Sequence, residues 1–201
     1  DHGADVVMQS STKSLSGHSD RWGGVLTTND KELDGKLHFV LKATGAVPSP
    51  FDNWILLRST KTLSLRYQRS CDNAMKIAKW INKKNFTKKL LYPGLKSHPQ
   101  FSLAAKQQLN PSGEKIFGNM ISFDVGSEEK RDNFLEKLEI FSLAESLGGV
   151  ESLVCVPYDM THAAVPVESK LEMGITKSLI RLSIGIEDCS DLIDDLNSSF
   201  Y

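Results

Sequence analysis

A long apolar stripe within residues 60–84 constrains the fold of this chain more than any other feature. Apolar side chains recur there at steps of three and four residues, which is the spacing of one helix face. Lys83 and Lys84 follow in the last turn, where positive charge interacts favourably with the helix dipole. The pattern predicts one long helix that buries a stripe made of Leu63, Tyr67, Cys71, Ala74, Ala78 and Ile81.

The residues before this helix show shorter and mixed patterns. Pro48-Ser49-Pro50 interrupts them, because proline lacks the N–H group that the interior of a helix or strand uses. The patterns predict strands at residues 4–10 and 23–27, a loop between them through Asp20, and helices at residues 32–44 and 51–57.

The residues after the long helix are predicted to form helices on one face of a mostly antiparallel sheet. Residues 120–125 alternate apolar and polar side chains, which is the period of a half-buried strand. Ser127 and Ser190 are the predicted N-caps of two of the helices. The remaining predicted elements are strands at residues 88–92, 141–144, 152–156 and 179–186, and helices at residues 100–109, 128–138 and 190 onward.

The composition is that of an ordinary soluble globular protein. Hydrophobic residues make up 40% of the chain and charged residues 24%, with a formal net charge of −1. This balance favours neither a nucleic acid nor a membrane as a partner, and no apolar run is long enough to cross a bilayer. Ten Lys/Arg and one Asp between Lys61 and Lys96 indicate a solvated helix face, since no nucleic-acid motif accompanies them.

The cysteines, the histidines and the start of the chain carry three smaller predictions. Three widely spaced cysteines without a C-x-x-C motif indicate reduced thiols in a cytosolic protein. The histidines form no pair at metal-ligand spacing, so no metal site is predicted. The start, Asp1-His2-Gly3-Ala4-Asp5, has neither a methionine nor the features of a signal peptide, and it predicts a piece of a longer protein.

Lys13 is the first candidate functional residue. It ends the run Ser10-Ser11-Thr12-Lys13, which follows the apolar Val6-Val7-Met8 and precedes Gly17 and Gly23-Gly24. A lysine amine at a strand end can form a Schiff base with an aldehyde cofactor, while hydroxyls and backbone N–H groups hold the phosphate of that cofactor. The alternative is a solvated loop lysine, and the residue order of a Walker phosphate loop is absent.

Arg181 is the second candidate. In the predicted strand at residues 179–186 it faces away from the apolar Ile180 and Leu182. An arginine held rigidly on a strand can bind a carboxylate through two parallel hydrogen bonds. The alternative is a surface arginine on an exposed face of the sheet.

Two further segments carry candidate ligand-binding side chains. Glu145 and Ser146 precede Gly148-Gly149, so they can form a polar rim where a ligand approaches the backbone closely. Met160-Thr161-His162 offers a second polar lining. The alternatives are an ordinary loop and an ordinary turn.

Taken together, these segments resemble the pyridoxal-phosphate (PLP) enzymes of trans-sulfuration, the Cys/Met metabolism family. Gly3-Ala4-Asp5, the run that ends in Lys13, and Gly17-His18-Ser19-Asp20 are similar to the lysine motif of that family. Later matches follow in the family's order and cover nearly the whole chain, at residues 45–50, 61–63, 92–95, 97–99, 143–153, 160–162 and 180–188.

The resemblance implies a role for each candidate residue. Lys13 would hold PLP through its amine and shuttle protons, and Ser10 and Thr12 would bind the cofactor phosphate. Arg181, helped by Ser146, would bind the substrate α-carboxylate. Glu145 and Thr161 would line the substrate site.

The resemblance also implies a fold and an assembly. The fold would be α/β, the C-terminal part of a fold type I, aspartate-aminotransferase-like PLP enzyme. Residues 1–59 would be the end of the large cofactor domain, and residues 60–201 the linking helix and a small α+β domain. The whole enzyme would be a cytoplasmic homotetramer that acts on a small amino-acid substrate.

The implied reaction is cleavage of L-cystathionine to L-cysteine, 2-oxobutanoate and ammonia, because an acid at position 145 is most similar to the γ-lyase branch. β-Lyase, γ-synthase and methionine γ-lyase chemistry are the alternative reactions, and a non-catalytic fragment is an alternative of another class. Two departures from the family pattern lie near Lys13: Ser14 replaces an aromatic residue, and Arg21-Trp22 replaces small apolar residues.

Overall fold

The computed structural model describes residues 3–201, and the chain divides into two compact units, Asp1–Ser64 and Leu65–Tyr201. The prediction that the chain is a piece of a longer protein rests in part on Asp1-His2. These two residues lie outside the described residues. The predicted boundary between domains after residue 59 stays a prediction, since compactness alone assigns no role to either unit.

The first unit contains a small sheet and two helices. Strands β1 (Val7–Ser10) and β2 (Gly24–Thr27) pair antiparallel, with Ser10 opposite Gly24. Helices α1 (Lys31–Thr44) and α2 (Pro50–Thr60) follow. All four elements were predicted from the sequence, and α2 extends one turn further than expected.

Local capping explains where the two helices begin. The Asp30 carboxylate accepts from the backbone N–H groups of Glu32 and Leu33, so α1 starts at the next residue, Lys31. Ser49 caps α2 in the same manner by accepting from the N–H of Asp52, and Pro50 occupies the first helical position.

One prediction in the first unit was wrong. The expected loop from residue 11 to Asp20 begins instead with a short π-helical turn, Ser11–Leu15. No sequence periodicity marks a five-residue turn, because it is too short to show an apolar face.

Helix α3 (Leu63–Lys83) confirms the predicted long helix, and its stripe forms much of the core of the second unit. Cys71, Ala74, Ala78 and Ile81 are all at most 2% exposed. Ile77 is also fully buried, which widens the buried face beyond the predicted stripe. The buried face of α3 belongs to the same apolar core cluster as Ile121 and Leu182 of the sheet.

The second unit is built on a five-stranded sheet. Its strands are β3 (Lys89–Leu91), β4 (Met120–Asp124), β5 (Ser142–Leu143), β6 (Leu153–Cys155) and β7 (Leu179–Ser183). The order across the sheet is β3-β4-β7-β6-β5, and every pair is antiparallel except β5 with β6. The structure confirms the α/β fold and the mostly antiparallel sheet.

The helices of this unit after α3 are α4 (Phe101–Gln107), α5 (Glu128–Glu136), α6 (Val167–Glu172) and α7 (Cys189–Phe200).

Two features of the second unit differ from prediction. Helix α6 was not expected, because six residues are too few to show an apolar period. The N-cap of α7 is Asp188, not Ser190: the Asp188 carboxylate accepts from the N–H of Ser190. Ser190 therefore lies inside the helix. Ser127 caps α5 as predicted, by accepting from the N–H of Lys130.

Within the part of the chain that the structure describes, no helix has the length and apolar character that spanning a membrane requires. The three cysteines, Cys71, Cys155 and Cys189, are free thiols.

Candidate functional site

Lys13 lies in the π-helical turn at the end of β1. Its backbone leaves helical geometry, with φ −87° and ψ −135°, and its side chain is half-buried. The turn is closed by hydrogen bonds from the N–H of Gly17 to the carbonyl of Lys13 (2.7 Å) and from the N–H of Ser16 to that of Ser11 (3.1 Å). Lys13 therefore extends from a kink whose backbone is fixed on both sides.

Gly23 fixes the part of the same turn that carries Ser11 and Thr12. Its N–H donates to Thr12 Oγ1 (2.9 Å), and its carbonyl accepts from the N–H of Ser11 (2.9 Å). A Cβ at this position would lie 2.4 Å from Nη2 of Arg21 and 2.9 Å from Oγ of Ser11. A side chain here would displace the Arg21 and Ser11 side chains, and the hydrogen bond from the Gly23 N–H ties the hydroxyl of Thr12 to the backbone.

Three buried polar atoms beside this turn have no hydrogen-bond partner among the described residues. They are Oγ of Ser11 and Nε and Nη1 of Arg21. The Arg21 side chain is buried, and its Nη2 donates to the carbonyl of Trp22 (3.1 Å). A guanidinium charge that is desolvated and only partly hydrogen-bonded destabilises the fold around it.

We therefore expect Arg21→Val to stabilise the first unit by about 1–3 kcal/mol, because it removes a buried, incompletely paired charge. The measurement is hydrogen exchange of the amides that pair β1 with β2, made in the whole chain. Arg58→Ala, at an exposed arginine of α2, is the control and should leave exchange nearly unchanged. Faster exchange in Arg21→Val would show that the guanidinium supports the turn instead.

A second group of predicted site residues lies around β7 in the second unit. Arg181 is half-buried in the centre of this strand, opposite Cys155 of β6 and Ser122 of β4. Its Nη2 donates to the backbone carbonyl of Glu145 (3.0 Å). Burial raises the pKa of the neighbouring Cys155 thiol, and the charge and hydrogen bond of Arg181 partly offset that rise.

The segment before the paired glycines is also attached to β7. Gly148 adopts φ +75° and donates its N–H to Oγ of Ser183 (2.8 Å), so the segment folds back onto the strand. Ser146 is half-buried, whereas the Glu145 side chain is exposed. The hydrogen bond from Arg181 goes to the main-chain carbonyl of Glu145, and the exposed Glu145 carboxylate can face a ligand.

Thr161 lies on the turn that follows β6, which we call the Thr161 turn (residues 157–163). Its side chain is exposed, and its Oγ1 lies 2.8 Å from Nδ1 of His162. The N–H of His162 donates to the carbonyl of Pro157 (2.9 Å), which closes the turn. Thr161 thus follows the strand that pairs with the strand of Arg181.

The structure places the predicted residues in two groups. In the first unit, Thr12 and Lys13 share one turn, which directly follows Ser10, the last residue of β1; in the second, Arg181 is hydrogen-bonded to Glu145. The burial of Arg21 was not predicted from the sequence. Nor was a role predicted for Lys170, which is 5% exposed and contacts the Thr161 turn. The only sequence signal for Arg21 was its departure from small apolar residues.

The donors around Lys13 suit a phosphate-bearing aldehyde such as PLP. They comprise a primary amine on a fixed kink, and the hydroxyls of Ser10, three residues before it, and Thr12, one residue before it. Amines bind aldehydes, and hydroxyls and backbone N–H groups bind phosphate. Among residues 3–201, no three His, Cys, Asp or Glu side chains gather as a metal site would require.

Comparison with known proteins identifies relatives over almost the entire chain. The profile of the family described as "Cys/Met metabolism PLP-dependent enzyme" matches residues 1–201. Cystathionine gamma-lyase of Bacillus subtilis is 50% identical over 98% of this chain, and cystathionine beta-lyase of Lactococcus lactis subsp. cremoris is 46% identical over 98%. The chain spans about half the length of these relatives, 50% in each case.

Solved structures agree with the sequence relatives. A crystal structure of cystathionine gamma synthase from Xanthomonas oryzae pv. oryzae, in complex with aminoacrylate and cysteine, has a TM-score of 0.92 and 41% identity. A crystal structure of cystathionine gamma-lyase from Lactobacillus plantarum, complexed with L-serine, has a TM-score of 0.91 and 40% identity. Each match covers 98% of this chain and 50% of the solved chain.

Proposed function

This chain belongs to the Cys/Met metabolism family of PLP-dependent enzymes, and we propose that it forms half of a carbon–sulfur lyase of trans-sulfuration. The proposed reaction cleaves L-cystathionine to L-cysteine, 2-oxobutanoate and ammonia. The observation that carries the proposal is the turn at the end of β1, where a kink extends Lys13 beside the fixed hydroxyl of Thr12.

Three residues of the first unit would hold the cofactor. Lys13 would bind it through its amine and, once released, carry protons between substrate carbons. Ser10 and Thr12 would bind the phosphate, and Gly23 keeps the Thr12 hydroxyl in place. PLP, when bound, supplies the electron sink for bond cleavage, so the protein needs mainly to orient the substrate and move protons.

Residues of the second unit would bind the substrate. Arg181 would hold the α-carboxylate, because a guanidinium on a central strand loses little freedom when it forms two parallel hydrogen bonds. Ser146 would assist it. The exposed Glu145 carboxylate and Thr161 would line the remainder of the site and favour the amino group at the far end of cystathionine.

The choice of the γ-lyase reaction rests on Glu145. The relatives include gamma-lyases, beta-lyases and gamma synthases, and all of these share the PLP-dependent chemistry of the family. We propose in addition that the whole enzyme is a cytoplasmic homotetramer. Residues 1–59 would complete its cofactor domain, and residues 60–201 would supply the linking helix and the small domain.

A hybrid enzyme tests the proposed reaction. This chain replaces the residues it matches in the Bacillus subtilis cystathionine gamma-lyase, a substitution that 50% identity makes conservative. The products from L-cystathionine are then analysed. We expect 2-oxobutanoate as the keto acid, whereas a β-lyase would give pyruvate. Glu145→Ala should reduce cystathionine cleavage, and Glu151→Ala, at another exposed glutamate, serves as the control.

Two outcomes of the hybrid experiment would contradict the proposal. Pyruvate as the main product would move the chain to the β-lyases. A folded hybrid that binds PLP but forms neither keto acid would support a non-catalytic role. For the 201-residue chain by itself we propose no turnover, because it spans only half the length of its relatives.

A further inference from the structure

A buried lysine holds the backbone of the Thr161 turn. Lys170 lies on α6, and its side chain is 5% exposed. Its Nζ donates to the carbonyl of Tyr158 (3.0 Å) and to that of Ala163 (3.2 Å), which lie near the two ends of the turn. One ammonium group therefore fixes the start and the end of the segment that carries Thr161.

The environment of Lys170 shows what its charge contacts. Nζ lies 4.3 Å from the centroid of the Tyr158 ring, so the ring face adds a cation–π interaction. Among residues 3–201 no carboxylate forms an ion pair with it. A buried ammonium is costly unless its donors are satisfied, and here main-chain carbonyls and a ring satisfy them. Its contacts thus order the main chain of the turn.

A second cation contacts the same turn without holding its backbone. Nη1 of Arg131, on α5, donates to the carboxylate of Asp159 (3.2 Å) and to the carbonyl of Lys177 (2.6 Å). The Arg131 contact can shift with the Asp159 side chain. The two carbonyls that Lys170 binds cannot move without moving the turn itself.

We propose that Lys170 is a positioning residue that fixes the Thr161 turn and, through it, sets the affinity of the enzyme for its substrate. The first half of this inference stands on the contacts of Lys170 alone. The second half rests on the proposed function, since it requires Thr161 to line the substrate site.

Hydrogen exchange of the 201-residue chain tests the first half. In Lys170→Met, which keeps a long unbranched side chain and removes its charge, the amides of Met160, His162 and Ala163 should exchange at least about tenfold faster. Amides of β4 and β7 should keep their rates. Lys170→Arg should restore slow exchange. Lys177→Met is the matched control, because Lys177 is an exposed lysine 5.9 Å from the same ring.

Lys170→Gln is a second test variant, to be measured if Lys170→Met fails to fold. Glutamine keeps one N–H donor group without the charge, so its exchange rates should fall between those of the wild type and the methionine variant. Wild-type rates at the turn in a folded Lys170→Gln or Lys170→Met variant would overturn the proposal.

Steady-state kinetics of the hybrid enzyme test the second half. Lys170→Met should raise KM for L-cystathionine about tenfold and leave kcat within about threefold, because the turn contributes to binding. The absorbance of bound PLP should stay unchanged. An unchanged KM combined with faster exchange would refute the link to substrate. A hybrid without activity would refute the proposed function, and exchange would still decide whether Lys170 orders the turn.

Discussion

Lys13→Ala should abolish cystathionine cleavage by the hybrid enzyme, lowering kcat by about a thousandfold or more. The amine of Lys13 is the group that would bind the cofactor and move the protons, and no neighbouring side chain on the kinked turn is an amine. The variant should also lose the visible absorbance of lysine-bound PLP. Borohydride reduction followed by mass spectrometry should find the cofactor on Lys13 in the parent hybrid only.

The control for this prediction is Lys42→Ala. Lys42 is an exposed lysine in the last turn of α1, so its loss removes the same charge outside the candidate site. Activity and borohydride labelling should both survive. Labelling of another lysine in the parent hybrid, or turnover close to the parent level in Lys13→Ala, would remove Lys13 from the role proposed for it.

Asp195→Ala should lower the free energy of unfolding of the second unit by about 3–4 kcal/mol. Asp195, on α7, is 7% exposed, and its carboxylate accepts from three consecutive backbone N–H groups. These belong to Glu139 (2.8 Å), Ile140 (3.0 Å) and Phe141 (3.2 Å). Alanine leaves these three amides without an acceptor in a segment that leads into β5.

Urea denaturation of the whole chain measures this effect. Of the three tryptophans, Trp80 alone lies in the second unit. Its fluorescence, read in a Trp22→Phe/Trp54→Phe background, therefore reports on that unit. Asp194→Ala, at the exposed neighbouring residue, should shift the midpoint little. Asp195→Asn should be intermediate, since an amide oxygen still accepts. Equal midpoints for Asp195→Ala and Asp194→Ala would contradict the capping role.

The main elements of the fold were predictable because apolar periodicity reflects burial. Both ends of helix α3 lie within one turn of the predicted bounds. The apolar stripe that predicted the helix is also the face that the core buries. Strand β4 was predictable for the same reason, with Ile121 and Phe123 fully buried. The N-cap of α7 was misplaced because Asp188 and Ser190 are both good caps, and only the backbone decides between them.

The candidate site was predictable only in part. Lys13 is followed by several glycines, and Arg181 lies within an alternation of apolar residues. The local sequence therefore indicated both as candidates. Lys170 and Asp195 had no such mark, because their hydrogen bonds reach residues distant in the chain, and such contacts exist only after folding. Arg21 differs from the small apolar residues of the family pattern, and the sequence showed this. Its burial with incomplete hydrogen bonding depends on the fold around Gly23.

The contact between Arg181 and position 145 has a consequence for divergence within the family. Nη2 of Arg181 binds the main-chain carbonyl there, which every amino acid possesses. Mutation can replace the exposed side chain of Glu145 while the arginine keeps its partner. Single substitutions at position 145 can therefore follow one another during evolution, and Arg181 keeps this hydrogen bond in each intermediate.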